Sequence, residues 1–433
     1  MSLSFEILGR SARSRARVGR VTTMHGSFDT PAFMPVGTRG TVKGLLPDLV
    51  RKTGSQILLN NTYHLLLRPG PQVVAQLGGV HRFMGWNGPI LTDSGGYQAY
   101  SMADLNSVDD EGVTFRSIVD GSSVRLTPER AIEVQNQLGA DIIMAFDDCP
   151  PSDGGEKRQS GEAAKRQIAE EDSGDSQEPD VRMVRAIRRD SGKRGYDHAA
   201  RLKVANERTV RWLERCKAAH LSGGGAATQS LFGIVQGGID LDQRSWSAER
   251  ICGIDLPGYA IGGVAVGESS EDIAGVVRHT APLMPEHRPR YLMGVGYERD
   301  IVAAVLAGVD MFDCVLPTRN GRNANAFTPT GQIRLRNAAF MADPGPIDVG
   351  CDCPACSPAL HGWETPDARP FSRGYIRHLF MAGEMLGPIL VSLHNVRFFQ
   401  RLMMDIRRTI REDDWPGFAA RWPEARPGLA GVL

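Results

Sequence analysis

The sequence predicts an α/β protein, a (β/α)8 barrel with an appended C-terminal subdomain. Three observations predict it. Short apolar runs ending in Gly, Asp, Asn or Gln recur along the chain, stretches with helical periodicity separate them, and the alternation stops before a cysteine-rich segment and a helical tail. The expected division is residues 1–324 for the barrel and 325–433 for the subdomain.

Eight runs read as strands: Pro31–Gly37, Ser55–Asn61, Pro89–Gly96, Asp141–Cys149, Leu231–Gly238, Gly258–Gly267, Tyr291–Gly296 and Asp310–Pro317. Among the intervening helices, Thr127–Leu138 is the clearest. Thr127 can cap it, Pro128 suits its first turn, and Ile132, Val134 and Leu138 supply its apolar positions. From Ser152 to about Gly195 the chain is rich in Gly, Ser and charged residues and reads as a flexible surface insertion. Beyond the eighth run, Asn325–Leu335 has the pattern of a hairpin turning at TPTG, and a helical tail begins near Phe371.

Composition narrows the class. The 433 residues carry 50 Lys+Arg against 50 Asp+Glu, with 41% hydrophobic and 23% charged residues, which suits a globular chain rather than a disordered one. Balanced charge gives no whole-protein field that draws nucleic acid, so any RNA contact must come from local sites. No apolar run reaches the length of a signal sequence or membrane span, and the expected location is the cytoplasm.

Seven cysteines are present, and Cys351, Cys353 and Cys356 fall within six residues. Three thiolates with one imidazole make a closed tetrahedral zinc shell, a structural rather than a catalytic site. His394 in SLHN is the chosen fourth ligand, with His361 and His378 competing on spacing. Cys216 and Cys252 read as packing residues.

In a barrel of this type the polar residues at the carboxyl ends of the strands converge on one mouth, and here those ends carry Asp93, Asp147, Gln236 and Asp313. Taken one at a time, each could equally be a loop or cap residue, and Asp93 before Ser-Gly-Gly could form an Asx turn. As a pair, Asp93 and Asp313 can supply a nucleophile and a general acid or base, the equipment for breaking a glycosidic bond. Arg319 and Arg322 follow directly in TRNGRNANAF, where they could hold phosphates or simply face solvent. The tail Asn395–Arg411 interleaves Arg397, Arg401, Arg407, Arg408 and Arg411 with Phe398, Phe399, Leu402, Met403 and Ile406, an amphipathic helix with a partly basic outer face.

The segments TDSGGYQ, FDDCPP, IVQGG, IGGVAVGE, YLMGVG, DMFDCVLPTRNGRNANAF and CDCPAC followed by LHN together resemble the bacterial tRNA-guanine transglycosylases, also called queuine tRNA-ribosyltransferases. The resemblance runs from about Phe5 to about Met404, the insertion excepted. It implies exchange of guanine at the anticodon wobble position for a 7-deazaguanine, preQ1 in bacteria, in tRNAs of the Asp, Asn, His and Tyr type with a U-G-U anticodon-loop sequence. It implies Asp313 as the nucleophile forming a covalent bond to the ribose, and Asp93 as general acid/base. Base recognition falls to Asp147, Gln236 and Gly263, with Tyr97 and Met293 stacking on the purine and Ser94 assisting. Val264, Ala265 and Glu268 resemble the element that accommodates the aminomethyl group, and Arg319 and Arg322 the anticodon-loop contacts. Zinc on Cys351, Cys353, Cys356 and His394, and a homodimer, are implied as well.

The chain departs from the family pattern in its longer insertion, a longer stretch between Cys356 and His394, and Val264 where Leu is usual. Cys149 and Val266 resemble the preQ1-accepting pocket rather than the queuine-accepting one. Two other readings compete. A retaining glycoside hydrolase would share the carboxylate pair but leave the cysteine cluster and arginines unexplained, and a noncatalytic RNA-binding paralogue would be expected to lack one of the two aspartates.

Overall fold

The computed structural model describes residues 3–101, 106–150, 197–357 and 369–433. The expected insertion at 152–195 and the rival ligand His361 lie outside the described residues.

The chain opens with an antiparallel three-stranded sheet, β1 (Ser4–Arg10), β2 (Arg17–Thr23) and β3 (Gly26–Thr30). Then come β4 (Ala32–Gly37), β5 (Leu58–Asn60) and β6 (Ile90–Thr92), followed by a second small antiparallel sheet of β7 (Asn106–Val108), β8 (Val113–Arg116) and β9 (Ser123–Leu126). Five further strands follow: β10 (Ile142–Met144), β11 (Ser230–Val235), β12 (Gly258–Ile261), β13 (Arg290–Leu292) and β14 (Met311–Cys314). Strands β4, β5, β6 and β10 to β14 close into an eight-stranded parallel barrel, with β14 pairing back onto β4 through Asp313 opposite Met34. Each of the eight apolar runs supplies one barrel strand, and in all but the first the polar end of the run turns into the loop that follows.

The barrel strands are buried on both faces, which is why their runs are continuously apolar instead of alternating. Met34, Leu59, Met144, Phe232, Ile234, Tyr291 and Met311 belong to the interior cluster, together with Leu3, Val21 and Phe28 of the N-terminal segment. The N-terminal sheet closes the floor. Arg17 on β2 makes a fully buried bidentate pair with Asp310 (2.9 and 2.6 Å), at the start of β14. His25 in the β2–β3 turn and His81 both bond Asp141, at the start of β10. Neither small sheet was part of the sequence expectation; their alternating patterns lie outside the strand–helix repeat.

The helix Pro128–Leu138 begins as the sequence predicts, with Thr127 accepting from Arg130 N and Pro128 in the first turn. The hairpin β15 (Asn325–Thr328) and β16 (Gly331–Arg334) turns at TPTG. The tail is two main helices, Arg373–Ala382 and Leu386–Glu412. The longer one buries Phe398, Phe399, Leu402, Met403 and Ile406 in the same core as Phe33 of β4. Its arginines are engaged by the protein itself: Arg397 by Asp352, Arg401 by Asp348, Arg407 by the Pro31 carbonyl and Arg408 by Asp405. Arg397, Arg401 and Arg407 thus tie the helix to other segments, while the Arg408–Asp405 pair lies within the helix itself.

Candidate active site

The carboxyl ends of the strands meet at the mouth opposite the floor. Asp93 follows β6. Its Oδ1 accepts from Thr62 N at 2.8 Å, and its Oδ2 from Gln98 Nε2 at 2.9 Å and from Asn61 Nδ2. Burial raises its pKa to about 6; the amide donors offset part of that shift, and the charge of Asp313 adds to it. Asp313, in β14, accepts from Tyr291 Oη at 2.6 Å and Gly294 N at 2.8 Å, and desolvation raises its pKa as well. Two desolvated carboxylates that sense one another and titrate upward can divide between nucleophile and proton carrier.

Beside them stands a polar wall. Asp147, three residues past β10, accepts from Gln236 Nε2 at 2.6 Å and Ser94 Oγ at 3.2 Å, and burial raises it to about 6. Gln236 is pressed against the loop after β12: a Cβ on Gly263 would fall 2.3 Å from its Oε1, and Gly263 has φ +63°, so only glycine fits there. Val264 is buried and Ala265 exposed. Glu268 turns back on the same loop to accept from Val266 N at 2.8 Å, and burial raises its pKa. Cys149 is buried and its thiol is pushed well up by burial and by the charges of Asp147 and Glu268, so it is a pocket wall and not a nucleophile.

Tyr97, in the helix Gly96–Ser101, and Met293, just past β13, are both half-buried. Arg319 and Arg322 lie on the helix Leu316–Arg322 that leaves β14 immediately after Asp313, and both are half-buried. The structure thus brings Asp93, Ser94, Asp147, Gln236, Gly263, Glu268 and Asp313 to strand ends of one mouth.

Sequence reasoning missed the groups that hold the carboxylates. Asn61 ends the second run and Thr62 follows it, Gln98 sits in TDSGGYQ five residues after Asp93, and Tyr291 opens YLMGVG. Tyr291 falls in a run with the pattern of an apolar strand. Its hydroxyl could have been flagged, because a buried phenol needs a partner.

Away from the mouth, Cys351, Cys353, Cys356 and His394 are all buried, with their donor atoms within 4.8 Å of one another. His394 Nε2 bonds the Phe327 carbonyl at 2.7 Å and its Nδ1 lies 3.3 Å from Cys356 Sγ. The carbonyl fixes the proton on Nε2 and leaves the Nδ1 lone pair for a metal, the outer-shell arrangement typical of ligating histidines. His378 is exposed on the helix Arg373–Ala382, so His394 completes the set. Three sulfurs and one nitrogen suit a structural metal ion. The other such cluster among the described residues is His25, His81 and Asp141 on the floor. There the carboxylate already accepts from His25 N, His25 Nδ1, His81 Nε2 and Ile90 N, so it is a filled hydrogen-bond hub.

A closed (β/α)8 barrel that gathers buried carboxylates at its C-terminal mouth has the layout of the barrel enzymes, whose active sites lie at that end. The family profile described as queuine tRNA-ribosyltransferase matches residues 12–170 and 177–428, and the chain belongs to that family of pentosyltransferases. It is 46% identical over 415 residues to the queuine tRNA-ribosyltransferase of Halothermothrix orenii, covering 95% of each chain. Over 424 residues it is 46% identical to a protein of that name from Thermus thermophilus, covering 98% of this chain and 94% of the other. Against the one from Acetivibrio thermocellus identity is 45% over 412 residues, 95% of each chain. No described helix is long and apolar enough to cross a membrane.

Proposed function

We propose that the chain is a tRNA-guanine transglycosylase that exchanges guanine at the wobble position of tRNAs with a U-G-U anticodon-loop sequence for preQ1, through a covalent Asp313–ribose intermediate. The observation that carries this reading is the pair Asp93 and Asp313, both desolvated and both raised, beside the polar wall of Asp147, Gln236 and Ser94, whose donors and acceptors suit a purine edge.

In this reading the Asp313 carboxylate, aimed by Tyr291 and Gly294, attacks C1′ of the ribose. The bond from C1′ to N9 breaks, its electron pair leaves with guanine, and Asp93 donates the proton that the departing base takes up. Asp93, now ionised, takes a proton from the incoming base, whose nitrogen attacks C1′ and expels Asp313. Two displacements return the original configuration. A pKa near 6 lets Asp93 exchange a proton in both directions near neutral pH.

Asp147, Gln236, Ser94 and the Gly263 N–H read the flipped base, and Tyr97 and Met293 sandwich it. Glu268 and the Val264–Ala265 peptide receive the aminomethyl group. A carboxylate there pairs with the ammonium of preQ1, and the preference for preQ1 over queuine rests on Cys149 and Val266, which resemble the preQ1-accepting pocket. Arg319 and Arg322 hold the splayed anticodon loop of tRNAs of the Asp, Asn, His and Tyr type. Residues 1–324 form the catalytic unit and 325–433 the zinc-binding one, with one structural zinc on Cys351, Cys353, Cys356 and His394. The protein works in the cytoplasm as a homodimer.

The test is exchange of radiolabelled guanine into unmodified tyrosine tRNA, with preQ1 and queuine as competitors. Exchange blocked by preQ1 at lower concentration than by queuine is expected; tRNA binding without exchange would favour the noncatalytic reading instead. Elemental analysis is expected to find one zinc per chain, and folded protein free of zinc would overturn that assignment.

A further inference from the structure

One buried cation adjoins the base wall with no role in the chemistry above. Arg244, on the helix Leu241–Cys252, is 0% exposed. Its Nε donates to the Gly238 carbonyl at 2.9 Å, its Nη1 to the Val235 carbonyl at 2.9 Å and its Nη2 to the Gly263 carbonyl at 3.1 Å. Val235 and Gly238 bracket Gln236 on the β11 loop, and Gly263 is the residue on the β12 loop against which the Gln236 amide is pressed. We propose that Arg244 is the positioning residue of the base pocket: a single guanidinium that ties the two strand-end loops together and so fixes the direction in which Gln236 and Gly263 present their polar groups to the base. This rests on the transglycosylase reading, and assigns a determinant of base affinity within it.

The chemistry requires arginine. A planar fork of fixed donors can serve three carbonyls on two loops at once, whereas a lysine ammonium is a point charge on a flexible stem. The approach is close. Gly237 has φ +141°, and a Cβ there would meet Arg244 N at 2.8 Å, so the glycine admits the helix to the loop. Because the Gly263 carbonyl is held by Arg244 and the peptide is trans, the Val264 N–H is turned to the opposite side. Glu268 lies within electrostatic reach of the guanidinium, whose pKa burial lowers only to about 10, so this one acid keeps a cationic neighbour at neutral pH. All three acceptors of this buried charge lie at the end of β11 or in the loops that follow β11 and β12.

The test uses the full chain carrying Arg244→Lys and Arg244→Ala, after wild type has been shown to exchange guanine. Folding is followed by cooperative melting, and KM is measured separately for guanine and for tRNA. Roughly tenfold or more on the guanine KM with a tRNA KM within about twofold is expected, since only the base pocket is disturbed. Guanidinium ion added to Arg244→Ala is expected to lower the guanine KM again. A guanine KM within about twofold of wild type in folded Arg244→Lys would overturn the proposal, as would a tRNA KM that rises in step. If neither variant melts cooperatively, Arg244 serves the scaffold and the proposal falls. Should wild type itself fail to exchange guanine, the function proposed above fails first; calorimetry of guanine binding to wild type and Arg244→Lys still decides the role of Arg244.

Discussion

The two mouths of the barrel hold the same residue type in opposite states. On the floor, Asp141 and Asp310 are buried and each is met by donors that favour its charge. Asp310 faces the Arg17 guanidinium and the Arg290 N–H. Burial alone would raise Asp141, but bonds from His81, Ile90 and His25 outweigh it and hold the pKa at about 2. At the catalytic mouth, Asp93 and Asp147 are also buried but meet only neutral amides and hydroxyls and other carboxylates, and both rise to about 6. No ion pair to Asp93, Asp147 or Asp313 occurs among the described residues. Burial is common to both ends; the charge of the partners decides whether an aspartate is held ionised as a structural anchor or has its pKa raised.

The sharpest way to break that contrast is to exchange aspartate for asparagine at each end. Asp93→Asn is expected to lower guanine exchange by about 10²- to 10⁴-fold, the usual worth of a positioned acid or base. Asp141→Asn is expected to leave the rate per folded molecule within about twofold, since it touches no group at the catalytic mouth. A floor variant that loses activity while folded would erase the distinction.

Stability should move the other way. Asp141→Asn strips a buried hub of its charge and is expected to cost about 2 to 4 kcal/mol at pH 7 by chemical denaturation. Asp93→Asn removes a carboxylate that burial opposes and is expected to stabilise by about 1 to 3 kcal/mol at the same pH. Destabilisation of both would show that the mouth aspartates are anchored as well.

The pH dependence follows from the directions. Asp141 lies below its unfolded value of 3.8, so its contribution is complete above that value and disappears as pH falls through about 2. Asp93 and Asp147 lie above theirs, so folding is favoured by their protons, and this part of the stability declines as pH rises from 3.8 through about 6 and is flat beyond. Asp93→Asn should flatten part of that decline, measured as stability at pH 4.5 and 7. The smallest effect concerns Ser94→Ala, which removes one 3.2 Å bond to Asp147 and is expected to raise the guanine KM about two- to fivefold.

The barrel was legible because its strands are buried on both faces and its apolar runs end in the polar residues that line the mouth. The placement of Asp93 and Asp313 at one mouth and the cluster Cys351, Cys353 and Cys356 were legible for a related reason: the signals are local in the sequence. What escaped were long-range partners. Tyr291 reaches Asp313 across neighbouring strands, Asn61 and Thr62 reach Asp93 from the end of β5 to the end of β6, and Arg244 reaches Gly263 from the helix Leu241–Cys252 to the loop after β12. Pairing of β5 with β6 and of β13 with β14 creates those contacts, and no local pattern records them. The floor sheet escaped because its alternating strands were outside the repeat that defined the barrel. The arginines of the long tail helix read as an outer basic face because their acceptors, Asp352, Asp348 and the Pro31 carbonyl, come from distant segments.

The central claim is that Asp313 forms a bond to the ribose. It is tested most directly by incubating wild type, Asp313→Ala and Asp141→Asn with unmodified tyrosine tRNA, quenching in acid, and mapping any protein–RNA adduct by mass spectrometry after digestion. The account predicts a ribose ester on the peptide containing Asp313 in wild type and in folded Asp141→Asn, and none in Asp313→Ala. An adduct that persists in Asp313→Ala, or that maps to another residue, would contradict it.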